Sequence, residues 1–197
     1  INMQLSIELK CESSQEWLDC VMGDFDTFLQ DHADCERKAS SMAMSFVAKY
    51  PDRKAIIPEL IETALEELEH FRDVYALIIK RGGNLQHNIP KDPYIEQMLK
   101  FCRSDVMNRF MDRLLLASLF ETRGAERFKM IWERLEEGSE EKKFFHQLWA
   151  SEAKHAHIFV KMALEYFPEK DVYYRLEAFS EEEARIIQNL PIRAALH

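Results

Sequence analysis

Glycine and proline are scarce in this chain, 5 and 6 of its 197 residues. That scarcity disfavours the many tight turns an all-β fold requires. Long apolar runs are missing too: no stretch approaches the roughly 20 consecutive apolar residues of a membrane span. The four cysteines, Cys11, Cys20, Cys35 and Cys102, never fall in C-x-x-C spacing. They read as core-filling thiols, not as a redox or zinc motif. The opening Ile1-Asn2-Met3-Gln4-Leu5 has neither the basic n-region nor the apolar h-region of a signal peptide. Basic residues are in the minority, 26 against 35 acidic ones, for a net charge of −9. This balance argues against a broad nucleic-acid-binding surface and leaves room only for a local basic rim. What is present is globular, with 47% hydrophobic and 31% charged residues. The expectation is one all-α domain over residues 1–197, cytoplasmic and not bound to a membrane.

Periodicity and punctuation predict four long helices. Ser13-Ser14-Gln15-Glu16 forms a capping box for a short first helix that Gly23 interrupts. An apolar stripe then runs from about 24 to 50, where Pro51 ends it. The second long helix covers about 58–81 and stops at Gly82-Gly83. One short helix, Pro93 to Phe101 with Asp92 as its cap, fits between them and the third long helix at about 104–136. Gly138 separates that from a fourth at 139–167, capped by Ser139. In the tail, Ser180-Glu181-Glu182-Glu183 predicts another capping box, with Pro191 as its stop. Short turns join the long helices into two antiparallel hairpins, and a long crossover joins the hairpins. That is the arrangement of a ferritin-like four-helix bundle, with short extra helices at both ends.

Two Glu-x-x-His motifs fall in the second helix of each hairpin, Glu67-Leu68-Glu69-His70 and Glu152-Ala153-Lys154-His155. Residues three apart share a helix face, so carboxylate and imidazole can reach one ion. A dinuclear carboxylate site needs one further Glu from each remaining helix. Glu36 sits among His32, Ala33, Ala39, Ser40 and Ala43, an inward-facing small-residue stripe. Glu121 sits among Ala117, Ser118, Gly124, Ala125 and Phe128. Its competitor Glu126 has Thr122, Arg123, Lys129 and Glu133 around it, which read as solvated. Glu36 and Glu67 lie 31 positions apart, as do Glu121 and Glu152, which favours Glu121 over Glu126. Against that, Cys35-Glu36-Arg37 resembles Ala125-Glu126-Arg127, which keeps Glu126 in contention.

The candidate metal ligands are therefore Glu36, Glu67, His70, Glu121, Glu152 and His155. Four carboxylates and two imidazoles suit iron or manganese better than structural zinc. Four glutamates buried together would be very costly without cations. His32, four residues before Glu36, reads equally as a residue orienting that ligand or as a satisfied core histidine. His87, His146, His157 and His197 carry no assigned role, and the acidic runs, Glu181–Glu183 among them, read as solvated helix surface.

Four ordered segments resemble the tRNA hydroxylases that act on 2-methylthio-isopentenyl-adenosine. They are Asp31-His32-Ala33-Asp34-Cys35-Glu36-Arg37-Lys38-Ala39, Glu66-Glu67-Leu68-Glu69-His70-Phe71, Phe120-Glu121-Thr122-Arg123-Gly124-Ala125-Glu126-Arg127-Phe128 and Ser151-Glu152-Ala153-Lys154-His155. The resemblance covers residues 14 to 197. Gly124 departs from it, standing where serine is expected.

The resemblance implies a ferritin-like non-haem di-iron monooxygenase with the six ligands just named and no other catalytic side chain. It implies O2-dependent hydroxylation of the isopentenyl group beside the tRNA anticodon, with two electrons from a reductase and the second oxygen leaving as water. Partners would be tRNA and that reductase, and the chain would be a monomer or small homo-oligomer. Arg123 and Arg127, four apart on the third long helix, are candidates to flank the entrance and hold phosphate; pairing with helix-surface glutamates is the competing reading. Two other functions fit the composition, an iron-storage or ferroxidase protein using the same ligands and a non-catalytic helical scaffold.

Overall fold

The computed structural model describes residues 7–197; the Ile1–Leu5 stretch read above lies outside them. Seven helices and no strands are found among the described residues. They are α1 (Gln15–Gly23), α2 (Phe25–Lys49), α3 (Ile57–Lys80), α4 (Pro93–Phe101), α5 (Val106–Arg134), α6 (Glu140–Leu164) and α7 (Glu169–Asn189). The chain divides into two compact units, and the division falls within α1. One unit holds α2 and α3 with Ile192–Leu196. The other holds the chain up to Leu18 and α4 to α7.

In the α2/α3 unit the helix ends follow the local chemistry. Asp24 caps α2 by accepting from the Thr27 amide, and Pro58 stands in the first turn of α3. Gly82 has φ of 82°, and its amide and that of Gly83 bond back to the carbonyls of Ile79 and Ile78. A side chain there would be strained, so glycine ends the helix. The inner stripe of α2 (Phe28, Leu29, Ala33, Ala43, Phe46) is buried, as are Leu60, Ala64, Val74 and Ile78 of α3. Each large apolar side chain in such a stripe contributes about 1.5–3 kcal/mol. The Ser40 hydroxyl donates to the Ala64 carbonyl at 2.8 Å, a bond that only small residues at the crossing permit.

In the other unit, α5 packs along α6, while α7 packs on α4, α5 and α6. Asp92, Asp105 and Ser139 cap α4, α5 and α6 through their side chains. The α5 cap is therefore Asp105, one residue after the expected start.

Two expectations are corrected. Ser14, not Ser13, caps α1, because its hydroxyl accepts from the Trp17 amide. The tail helix begins at Glu169, not near Ser180. Val172, Leu176 and Phe179 already form a buried stripe with i, i+4, i+7 spacing, so the apolar face starts about two turns earlier. Ser180 lies inside the helix and its hydroxyl bonds to the Glu8 carbonyl.

Candidate metal-binding site

On α2 and α3 the structure brings together Glu36, Glu67 and His70. Each offers a ligand atom, and these atoms lie within 4.8 Å of one another. Glu36 and Glu67 are buried, and His70 is half-buried. The His70 Nδ1 stands 3.3 Å from Glu67 Oε2 and 3.7 Å from Glu36 Oε2. Helical spacing explains the pairing, since Glu67 and His70 are one turn apart on α3. His32 is wholly buried, with Nε2 2.5 Å from Glu36 Oε1. The contact is common to both of its readings, the orienting residue and the satisfied core histidine.

Electrostatics in this trio are those of a site built for positive charge. Burial alone would push the Glu36 carboxyl up, but bonds and charge from His32, then His70 and Glu67, bring it well below the carboxylate range. Burial likewise disfavours a charged His70, yet its bonds to Glu36 and Glu67 and their charges push the imidazole up to about 10. The two carboxylates thus draw a cation toward themselves, supplied by a proton on His70. A metal ion would meet the same demand with more charge.

On α5 and α6 a matching trio forms from Glu121, Glu152 and His155, all buried, with ligand atoms within 4.8 Å of one another. Gly124 lies on α5 against it. A Cβ built there would meet Glu152 Oε2 at 3.9 Å, ordinary contact distance. The departure at Gly124 therefore needs no close approach of backbone, and a Cβ there would be in contact with both Glu152 and Phe128.

Glu126 is elsewhere. Contrary to the solvated surface read from its neighbours, it accepts from the Ser13 amide at 2.6 Å and hydroxyl at 2.8 Å, and pairs with Arg123 at 3.0 Å. Its role there is to anchor the segment leading into α1. Arg123 and Arg127 also turn inward. Arg123 is wholly buried, donating from Nε and Nη2 to the two oxygens of Glu183 at 2.8 and 2.9 Å. Arg127 donates to the Ser13 hydroxyl at 2.8 Å, and its guanidinium lies 4.4 Å from the Trp17 ring centroid. Burial and the neighbouring Arg123 charge pull the Arg127 pKa down to about 10. Guanidiniums so enclosed offer nothing to phosphate, and the entrance reading of both residues is withdrawn.

Sequence reasoning also missed Glu183, taken as part of a solvated run. It is wholly buried, and the Tyr94 hydroxyl donates to it at 3.1 Å. Its place four after Phe179 on the apolar stripe of α7 was the available signal. His87, His146 and His157 are exposed. His197 stacks on Tyr94 with ring centroids 5.0 Å apart.

The donor set fits a metal. Each trio combines two buried carboxylates with one imidazole, oxygen and nitrogen ligands of the kind that iron and manganese take. No thiolate stands in either trio.

Residues 3–197 match the model of the tRNA-(MS[2]IO[6]A)-hydroxylase (MiaE) family. The chain belongs to this family. A relative in Pseudomonas putida KT2440, named tRNA 2-(methylsulfanyl)-N(6)-isopentenyladenosine(37) hydroxylase, is 32% identical over 92% of this chain and 87% of its own. A Salmonella typhimurium LT2 protein of the same name is 25% identical, over 91% and 83%. A solved structure, protein 43 with aldehyde deformylating oxygenase activity from Synechococcus, superposes with a TM-score of 0.89 at 29% identity, over 96% of this chain and 94% of that one. This MiaE-family chain has the all-helical, ferritin-like fold of such oxygenases, with carboxylate and histidine side chains that could hold metal. Among its described residues no helix is long and apolar enough to cross a membrane.

Proposed function

We propose that this MiaE-family hydroxylase acts on the isopentenyl group of 2-methylthio-isopentenyl-adenosine in tRNA, using two iron ions and O2. The observation that carries the site assignment is the pair of Glu-Glu-His trios, one on each helix hairpin. In this proposal the hairpins act as one ferritin-like domain, and Glu36, Glu67 and His70 hold one ion while Glu121, Glu152 and His155 hold the other. Bound iron would supply the O2 activation that hydroxylating a C–H bond of the isopentenyl group demands.

The remaining chemistry belongs to the chain's own residues. Each trio would offer its ion two carboxylates and one imidazole. His32 fixes Glu36 through its 2.5 Å contact, setting the direction of the carboxylate lone pairs. The buried faces of α5 and α6, Phe128 and Phe145 among them, keep water from the reacting carbon. One C–H bond of the substrate becomes C–O–H, and the second oxygen atom leaves as water with two electrons and two protons. A reductase is the electron source in this reading, and the enzyme is a monomer or small oligomer.

Nucleoside mass spectrometry tests the activity: tRNA from cells lacking the gene should retain the unhydroxylated isopentenyl nucleoside. Metal analysis tests the site, with about two iron ions per chain expected. Glu67→Ala and His155→Ala should each lower that number and abolish turnover while keeping the helical far-UV signal. Unchanged metal content in both variants would refute the ligand assignment. Assembly into a closed cage with a mineral core would favour iron storage instead.

A further inference from the structure

Near the α5/α6 turn, three rings that neither trio uses are packed together. Trp132 and Trp149 stack with centroids 5.2 Å apart and planes 15° from parallel. His146 meets both edge-on, at 4.9 Å and 5.6 Å. Both indoles are half-buried and His146 is exposed, so the cluster is open to solvent on one side. Two ammonium groups lie over the rings, Lys129 Nζ 5.7 Å from the Trp149 centroid and Lys142 Nζ 5.9 Å from that of Trp132, so a base reaches the Trp149 face by displacing the exposed Lys129.

Helical geometry relates this cluster to the trio on the same two helices. Trp132 lies eleven residues after Glu121, three turns onward on the same face of α5. Trp149 lies three residues before Glu152, one turn and about 5 Å along α6. Between the rings and the carboxylates stand Gly124 and Phe128. Gly124 carries no side chain where a Cβ would touch Glu152 Oε2 at 3.9 Å and the Phe128 ring at 4.0 Å.

A stacked indole pair held half-open is a poor core, because each ring keeps apolar area in water. It is a good platform for a flat aromatic ligand, since bases stack on aromatic side chains whatever their sequence. The lysines add charge of the sign a phosphate backbone requires. They also pair with Glu133 at 3.8 Å and Glu137 at 3.2 Å. The Lys129–Glu133 pair is exposed and weak enough for phosphate to exchange with it, whereas Lys142 is mostly buried and also donates to the Leu135 carbonyl at 3.1 Å.

We infer that the Trp132/Trp149 pair is the stacking platform for the unstacked adenine of the substrate tRNA. The inference rests on the tRNA-hydroxylase reading. A purine seated against Trp149 stands about one helical turn from Glu152, a gap that a five-carbon isopentenyl group spans. The platform holds the base after it leaves the loop, and the side chain extends along Gly124 toward the trio.

Two RNA hairpins test this, one carrying 2-methylthio-isopentenyl-adenosine beside the anticodon and one abasic at that position. Iron-loaded wild-type enzyme should bind the modified hairpin more tightly, and Trp149→Ala should weaken that binding roughly tenfold, as expected for loss of one base–aromatic stack. The same variant should bind the abasic hairpin as wild type does. Trp149→Phe, which keeps a ring, should restore most of the lost affinity with iron content unchanged. A second readout needs no platform variant: in a Trp17→Phe background, the modified hairpin should quench the remaining indole fluorescence and the abasic one should not.

Binding of the modified hairpin by Trp149→Ala as tight as by wild type, with no quenching, would overturn the platform. It would leave the hydroxylase reading intact if tRNA turnover persisted. Absence of both hairpin binding and turnover in the wild type would overturn both. A dimer that Trp132→Ala splits into monomers would assign the rings to a second copy of the chain and overturn the base-stacking role.

Discussion

Arg123 on α5 and Glu183 on α7 form a two-bond pair, Nε to Oε1 at 2.8 Å and Nη2 to Oε2 at 2.9 Å, with neither side chain exposed. Their 60-residue separation in sequence closes the α5–α7 contact. Removing one partner leaves the other charge buried, at a typical cost of about 3–5 kcal/mol. Arg123→Ala or Glu183→Ala should therefore lower the melting temperature sharply. Neither should change the salt slope of RNA binding, measured at a temperature where the variant is folded. A pure loss of RNA affinity at unchanged stability would return Arg123 to the entrance.

Glu121 and Glu126 separate by phenotype. Glu121→Ala should lower iron content, since its carboxylate joins Glu152 and His155. Glu126→Ala should retain iron but lose about 1–3 kcal/mol, because the Ser13 amide and hydroxyl and Arg123 all lose an acceptor. Metal analysis paired with urea denaturation reads both. Iron loss in Glu126→Ala alone would reverse the assignment.

His32 is expected to act through Glu36. His32→Ala should weaken iron binding about 10- to 100-fold, the usual effect of losing a residue that orients a ligand. His32→Gln, which can still donate a hydrogen bond, should recover part of it. A chelator-competition titration with iron separates the three proteins. Equal affinities would make His32 a core filler.

Acid sensitivity should centre on Asp112. Burial would raise its pKa, but the bonds from Arg103 and Arg175 and the charge of Arg175 lower it below the ordinary carboxylate value. A depressed folded-state pKa stabilises above the unfolded value, near 4, and that contribution disappears as pH falls through the folded value. Wild type should thus lose stability steeply below about pH 4. Asp112→Asn should be less stable at pH 7, and its deficit should shrink as the solution is acidified. Melting curves from pH 7 to pH 3 measure this. A constant deficit would assign the effect to packing.

The long helices were legible because their apolar stripes repeat at the helical period and their ends carry local signals. Asp24, Asp92 and Ser139 cap through side chains, and Gly82 takes a left-handed conformation that few other residues adopt. The trios were legible for the same reason. Glu67 with His70 and Glu152 with His155 are one-turn neighbours, so the covalent chain sets their proximity. Equal 31-residue spacings then located Glu36 and Glu121.

Contacts between distant segments were another matter. Nothing local marks Glu126 as the acceptor for Ser13, or Glu183 as the partner of Arg123, because a charged residue on a helix reads as solvated until another element covers it. The sequence by itself determined the helices, the hairpins and the two Glu-Glu-His clusters, all consequences of periodicity and short-range spacing. Only the tertiary structure decided which charges are buried, since α7 and the segment before α1 pack over the outer face of α5 and turn its arginines from a surface into a core.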